Sequence, residues 1–316
     1  MFYLSQRRLT IALILAMTLI FSGSAIASNE IRFASVSWPG VTVKTELGKN
    51  ILNSLGYAAT RTSLSVPIVY KGLESGDADI FLGNWMPSMK SIADKFFDNG
   101  SVIKYVANMP GAKYTLAAPT YVVEGGLKDF SDIARYADKL DHKIYGIEAG
   151  NDGNKIIQGL IDNDTFGLGD FELIETSVAI MLTEVKTLAQ EGEWVVFLGW
   201  APHYMNKIID MTYLTGSTAD TFGGNNGTAT VYTNIRKGFD TDQPNVAKFI
   251  KQFTFPIPMM NEILQMLNDN KKLDHNTAGL TWIKQHPEVY TGWLEGVTTV
   301  DGQPALPVFE AYLEAI

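Results

Sequence analysis

The chain has 316 residues, 46% of them hydrophobic, and a formal net charge of −9. That is enough apolar material for one large or two medium domains. Cysteine is absent, which excludes disulfides, thiol nucleophiles and thiolate metal sites, and so acidic a chain is a poor partner for nucleic acid or anionic lipid.

The first element expected is a secretory leader. Arg7 and Arg8 form a basic start, residues 9–21 an apolar stretch, and Ala25-Ile26-Ala27 a small-residue cleavage signal. The apolar stretch is too short for a spanning helix, so residues 1–27 read as a signal peptide and the mature chain as periplasmic. Cleavage after Ala27 removes two arginines and no acid, which takes the net charge from −9 to −11.

Residues 30–37 then alternate as a strand with Ile31, Phe33 and Val36, and stop at the turn Trp38-Pro39-Gly40. Residues 42–55 have helical spacing closed by Gly56, residues 61–66 read as a strand, and residues 67–75 as a helix with Val69 and Leu73 on one face. Residues 78–82 form a short apolar run that fits a fully buried parallel strand, which extends over 78–84. It leads into Trp85 and Pro87, with Pro87 suited to the first turn of a helix through 89–97. Three strand–helix units in succession predict a parallel, doubly wound layout.

Further on, residues 114–119 and 120–123 are extended apolar segments, and residues 130–137 look helical. A strand at 143–147 opens into Ala149-Gly150-Asn151-Asp152-Gly153 and a helix over 154–161. Strands at 171–174 and 194–198 flank a helix over 180–190, and the second of them ends at Gly199-Trp200. The glycine-rich loop 223–227 precedes a strand at 228–234, and from residue 246 onward the spacing is helical. This order fits an α/β protein whose second lobe, residues 117–224, is inserted into a first lobe made of residues 28–116 and 225–316.

Signatures of catalysis are missing. The sequence has no G-x-x-x-x-G-K-[ST], H-E-x-x-H or G-x-S-x-G, and its four histidines, His142, His203, His275 and His286, lack metal-ligand spacing. They read as surface or structural residues, and no cofactor or metal is expected. Gly150-Asn151-Asp152-Gly153 opens a helix, which suits either an anion cradle or an ordinary capping turn. The aromatic residues carry more. Trp38, Trp85 and Trp200 each follow a strand and each meets a proline within two residues, at Pro39, Pro87 and Pro202. Strand ends of an α/β lobe converge on one cleft, and Tyr114 lies at the first expected crossing between lobes. Rings gathered there suit a quaternary ammonium, which has no N–H to donate and is held by ring faces at roughly 0.5 to 2 kcal/mol each. A stacking platform for a sugar ring would use the same residue types.

Through Gly83-Asn84-Trp85-Met86-Pro87, the chain resembles the substrate-binding proteins of quaternary-amine ABC transporters, in particular the choline-binding branch. The segments around Trp38, Tyr114, Gly150-Asn151 and Gly199-Trp200 follow in the family's order, over essentially the whole mature chain. The resemblance implies a periplasmic binding-protein fold of type II-like form, with two lobes that clamp the ligand and a membrane permease as partner. It also implies an aromatic box of Trp38, Trp85, Tyr114 and Trp200, with Asn151 at the polar end of the ligand. Choline-binding relatives carry an aspartate two residues after the first tryptophan, where this chain has Gly40, with Lys44 four residues on. Loss of that carboxylate and gain of a lysine favour a ligand that itself carries a carboxylate, such as glycine betaine or carnitine, while choline stays admissible. A monomer is expected. The other readings are an exported enzyme acting on a choline ester, a sugar-binding protein, or a ligand sensor docking to a membrane receptor.

Overall fold

A computed structural model describes residues 29–316; the leader expected over residues 1–27 lies outside the described residues. Nine strands join in one sheet: β1 (Glu30–Ser35), β2 (Ala58–Ser63), β3 (Ile80–Met86), β4 (Val102–Pro119), β5 (Lys143–Tyr145), β6 (Glu172–Ile174), β7 (Val196–Ala201), β8 (Met211–Tyr213) and β9 (Thr228–Arg236). Their order is β2-β1-β3-β9-β4-β7-β5-β6, with β8 also on β4. The β2-β1-β3 end and the β7-β5-β6 arm each contain parallel pairs, as strand–helix alternation dictates. Between them β9 and β4 run antiparallel to their neighbours. The layout is therefore mixed rather than purely parallel.

The longer helices are α1 (Pro39–Ser54), α2 (Val66–Ser75), α3 (Lys90–Asp98), α4 (Asp152–Asp162), α5 (Val178–Glu191), α6 (Pro244–Gln252), α7 (Ile257–Asp269), α8 (His275–Lys284), α9 (Pro287–Trp293) and α10 (Ala305–Ala315). Local chemistry sets their ends. Pro39 and Pro67 stand in the first turns of α1 and α2, where a missing N–H leaves no helical bond unmade. Gly76 closes α2 in the left-handed region at φ 77°. No helix among the described residues is long and apolar enough to cross a membrane.

The structure differs from the sequence reading in three places that matter for the site. Residues 114–119 are the end of an 18-residue strand that begins at Val102. Its register on β9 shifts at Lys104/Val106, Ala107/Met109 and Pro110/Ala112, and these bulges hide the alternation. Residues 120–123 belong to a helical turn, Thr120–Glu124, not to a strand. Pro87 precedes its helix rather than starting it: α3 begins at Lys90, after a turn in which the Met89 N–H donates to the Trp85 carbonyl at 2.9 Å.

The sheet is held by charge at the end away from the cleft and by aromatic packing under the C-terminal helices. Asp79, 2% exposed, accepts from Arg32 of β1 at 2.9 Å and from Arg236 of β9 at 2.6 Å, which fastens the start of β3 to strands on both sides. Beneath the C-terminal helices, Phe253 packs on Phe249, Phe255 and Trp293, with ring centroids 4.6–4.8 Å apart. Trp282 and Trp293 are buried outside the cleft, and Trp194 is half-buried against Tyr136.

Candidate functional site

A cavity of about 30 Å³ lies where the two α/β halves meet. Four of its walls are the rings of Trp38, Trp85, Tyr114 and Trp200, and the rest comes from Gly40, Val41, Lys44, Met109, Ile147 and Pro202. Of the residues singled out in the sequence, all but Asn151 are brought together here.

Each ring is placed by a different element. Trp38 is the N-cap residue of α1. Trp85 is the penultimate residue of β3, paired with Val231 of β9. Trp200 is the penultimate residue of β7 and pairs with Tyr114, which sits within β4. Three of the four rings thus stand inside strands, not on loop tips, because β9 and β4 extend the hydrogen-bonded ladder past the parallel strand ends. Pairing fixes them more firmly than loops would. Tyr114 is the hub: its centroid is 5.7 Å from Trp85, 6.3 Å from Trp200 and 5.5 Å from Phe222 behind it. Two glycines make room for it. A Cβ on Gly153 would lie 2.2 Å from the Tyr114 hydroxyl, and one on Gly227, which already needs φ 77°, would lie 2.3 Å from the Tyr114 carbonyl oxygen.

The four rings are only 5–7% exposed. Trp38 closes the cleft by donating from Nε1 to Glu148 Oε1 at 2.5 Å, which ties the loop after β1 to the loop after β5. Burial raises the Glu148 carboxyl. Beside Trp200, the His203 ring lies tilted by 58° with centroids 4.8 Å apart and accepts from the Met205 N–H on Nδ1; burial holds it at about 3, so the ring is neutral near physiological pH.

Lys44 lies one and a half turns into α1 and is 1% exposed. It neither starts the helix nor points to solvent. Its Nζ donates to Asn108 Oδ1 at 2.9 Å and stands 5.8 Å from the Phe255 ring centroid. Asn108 is held in that orientation by its own donation to the Leu82 carbonyl and to Thr233. No carboxylate among the described residues pairs with Lys44, and burial pulls its ammonium down to about 7. Such a group gains most from an anion brought to it.

Asn151 behaves differently. It is the N-cap of α4: its Oδ1 accepts from the Asn154 N–H at 2.9 Å and its Nδ2 donates to the Glu148 carbonyl. It does not line the cavity. Asp152 buries its own carboxylate at this helix start, 0% exposed, so the turn caps its helix and does not cradle an anion. Met109, Ile147, Phe222 and Asp152 were not flagged as site residues by the sequence. Their neighbours in space are far off in the chain, and only the Gly150–Gly153 turn gave a local hint.

Residues 29–285 match the family described as the substrate-binding domain of ABC-type glycine betaine transport systems. An ABC-transporter choline-binding protein solved in complex with choline is 42% identical, with a TM-score of 0.88 over 90% of this chain and 98% of that one. The structure of an ABC-transporter choline-binding protein in an unliganded semi-closed conformation is 43% identical, with a TM-score of 0.82 and the same coverage. The glycine betaine/carnitine transport binding protein GbuC of Listeria monocytogenes is 26% identical over 165 residues, 52% of this chain and 53% of that protein.

Proposed function

The chain belongs to the family of substrate-binding domains of ABC-type glycine betaine transport systems, and from that premise we propose that its cavity holds a quaternary ammonium compound. Trp38, Trp85, Tyr114 and Trp200 take the methylated nitrogen, and Lys44 takes a carboxylate at the other end. Choline is admitted as well, without that second contact. The observation that carries this reading is four rings converging on one small cavity beside a buried lysine that has no acid partner. A quaternary cation makes no hydrogen bond, so ring faces in a dry site are its natural host.

Rings so little exposed admit a ligand only when the halves part, so the conformation described is the closed one, and the Trp38–Glu148 bond helps hold it. The register of β4 supports a hinge near residues 116–117 and 224–225: residues 102–113 pair with β9, whereas 113–117 pair with β7. Lobe one would then be residues 28–116 and 225–316, and lobe two 117–224. The protein acts as an exported, monomeric, non-enzymatic carrier whose closed form is read by a membrane permease. Against chemistry in the cleft, its lining includes no serine, histidine or carboxylate among the described residues.

Calorimetric titration with choline, glycine betaine, carnitine and a neutral sugar tests the class. Heat from one or more of the three ammonium compounds, with the betaines at least matching choline, is expected. Heat from the sugar alone would make the rings a stacking platform.

A further inference from the structure

The carboxylate of Asp152 is fully buried, and neither oxygen has a hydrogen-bond partner in good geometry. An acid kept in that state is destabilising unless something offsets it. The Ser88 hydroxyl and the backbone N–H groups of residues 152 and 153 face it, and among the described residues no lysine or arginine does. Two of these neighbours tie it to the box. The Ser88 hydroxyl donates to the Trp85 carbonyl at 3.1 Å, and Gly153 packs directly against the Tyr114 hydroxyl. Asp152 therefore lies beside the Tyr114 hydroxyl and, through Ser88, next to the Trp85 backbone.

We propose that Asp152 is the buried counter-charge of the aromatic box, a positioning residue that acts through Trp85 and Tyr114 and makes cation binding depend on pH. This rests on the reading that the cavity takes a quaternary ammonium. In a low-dielectric interior a charge beside the rings adds to the attraction at their faces. With Lys44 in the cavity wall, the site carries one buried negative and one buried positive group, neither with an ionic partner among the described residues, and a zwitterion would compensate both.

Burial pushes the Asp152 carboxyl up to about 6; Ser88 and the N–H groups oppose this, and Glu148 adds to it. The titratable groups facing it are Glu148 from the loop after β5, Tyr114 from β4 and Tyr70 from α2. Burial raises both tyrosines, so they stay neutral through the working range. A bound cation favours the charged carboxylate and returns it toward its usual range, so binding releases a proton below pH 7. Affinity for a cation is then full above about pH 7 and falls about tenfold from pH 7 to pH 5.

Choline titrated at several pH values into the exported protein tests this. Wild type should lose about tenfold between pH 7 and pH 5. Asp152→Asn should bind about 100-fold more weakly at pH 7 and show a flat profile from pH 5 to 6.5. Glu148→Gln, which removes the other nearby acid and the carboxylate that Trp38 bonds, should bind more weakly at every pH but still lose affinity with acid. Titration in two buffers of different ionisation enthalpy at pH 5.5 needs no variant and should read more than about half a proton released per choline. Wild-type affinity and slope in Asp152→Asn, or no proton release, would overturn the role of Asp152. Absence of ammonium binding by wild type at every pH would instead overturn the reading of the cavity.

Discussion

Replacing Trp85 by alanine is expected to weaken quaternary-ammonium binding at least about 100-fold, or about 2.7 kcal/mol, while the protein stays folded. Three losses add up. The cation loses a ring face worth up to about 2 kcal/mol in a desolvated site. Tyr114 loses its neighbour at 5.7 Å. Water then enters beside the ligand and screens the remaining rings. Trp85 borders the cavity at the end of β3 rather than the layer beneath the sheet, so the fold should bear its truncation better than that of a core tryptophan, which costs about 3–5 kcal/mol. Trp85→Phe keeps a ring and should lose about tenfold. Calorimetry with choline or glycine betaine reads both variants, and thermal unfolding checks the fold. Unchanged affinity in Trp85→Ala would remove this residue from the box.

The second large effect separates ligands by charge. Lys44→Met should weaken glycine betaine and carnitine by roughly 10- to 100-fold, since a charge-assisted hydrogen bond contributes about 1.5–3 kcal/mol. Choline should be unaffected or slightly favoured, because a buried like charge has gone. The pH dependence has a definite sign. The Lys44 ammonium in the free protein titrates near 7, lowered by burial, and a ligand carboxylate favours its charged form. The Lys44 contribution to betaine affinity is then full below about pH 7 and is lost as pH rises, a limb that Lys44→Met removes. Choline shows no such fall. Gly40→Asp should push the other way, toward choline; a Cβ there would meet Met260 Cε at 3.5 Å, an ordinary contact. Equal losses for choline and the betaines in Lys44→Met would mean that the lysine only supports the fold.

Much of this site is legible because its rings are announced locally. Trp38, Trp85 and Trp200 each stand where an apolar run meets a proline, and short-range chemistry suffices to place them at strand ends. The burial of Lys44 is not announced. Its partners Asn108 and Phe255 are 64 and 211 positions away in the chain, and on α1 alone it looks like a polar residue on a helix. Asn151 shows the reverse case: its place in the run suits a ligand contact, while its pairing with Asn154 and the Glu148 carbonyl at the start of α4 is not announced. The first part of β4 escaped notice because Lys104, Asn108 and Pro110-Gly111 break its alternation at or beside the bulges that bend it. Chain order made the inserted second half visible, whereas the antiparallel β9–β4 centre follows from pairings that no local pattern encodes.

A charge held by ring faces is the centre of this site, and one comparison isolates it: choline against its uncharged carbon isostere, 3,3-dimethylbutan-1-ol, titrated calorimetrically into the same protein. The two have the same shape and the same hydroxyl, and differ in the positive charge. Choline binding at least about 100-fold tighter than the alcohol is the expected result, as several desolvated cation–π contacts require. Equal affinity would contradict the account and leave the cavity a plain hydrophobic pocket.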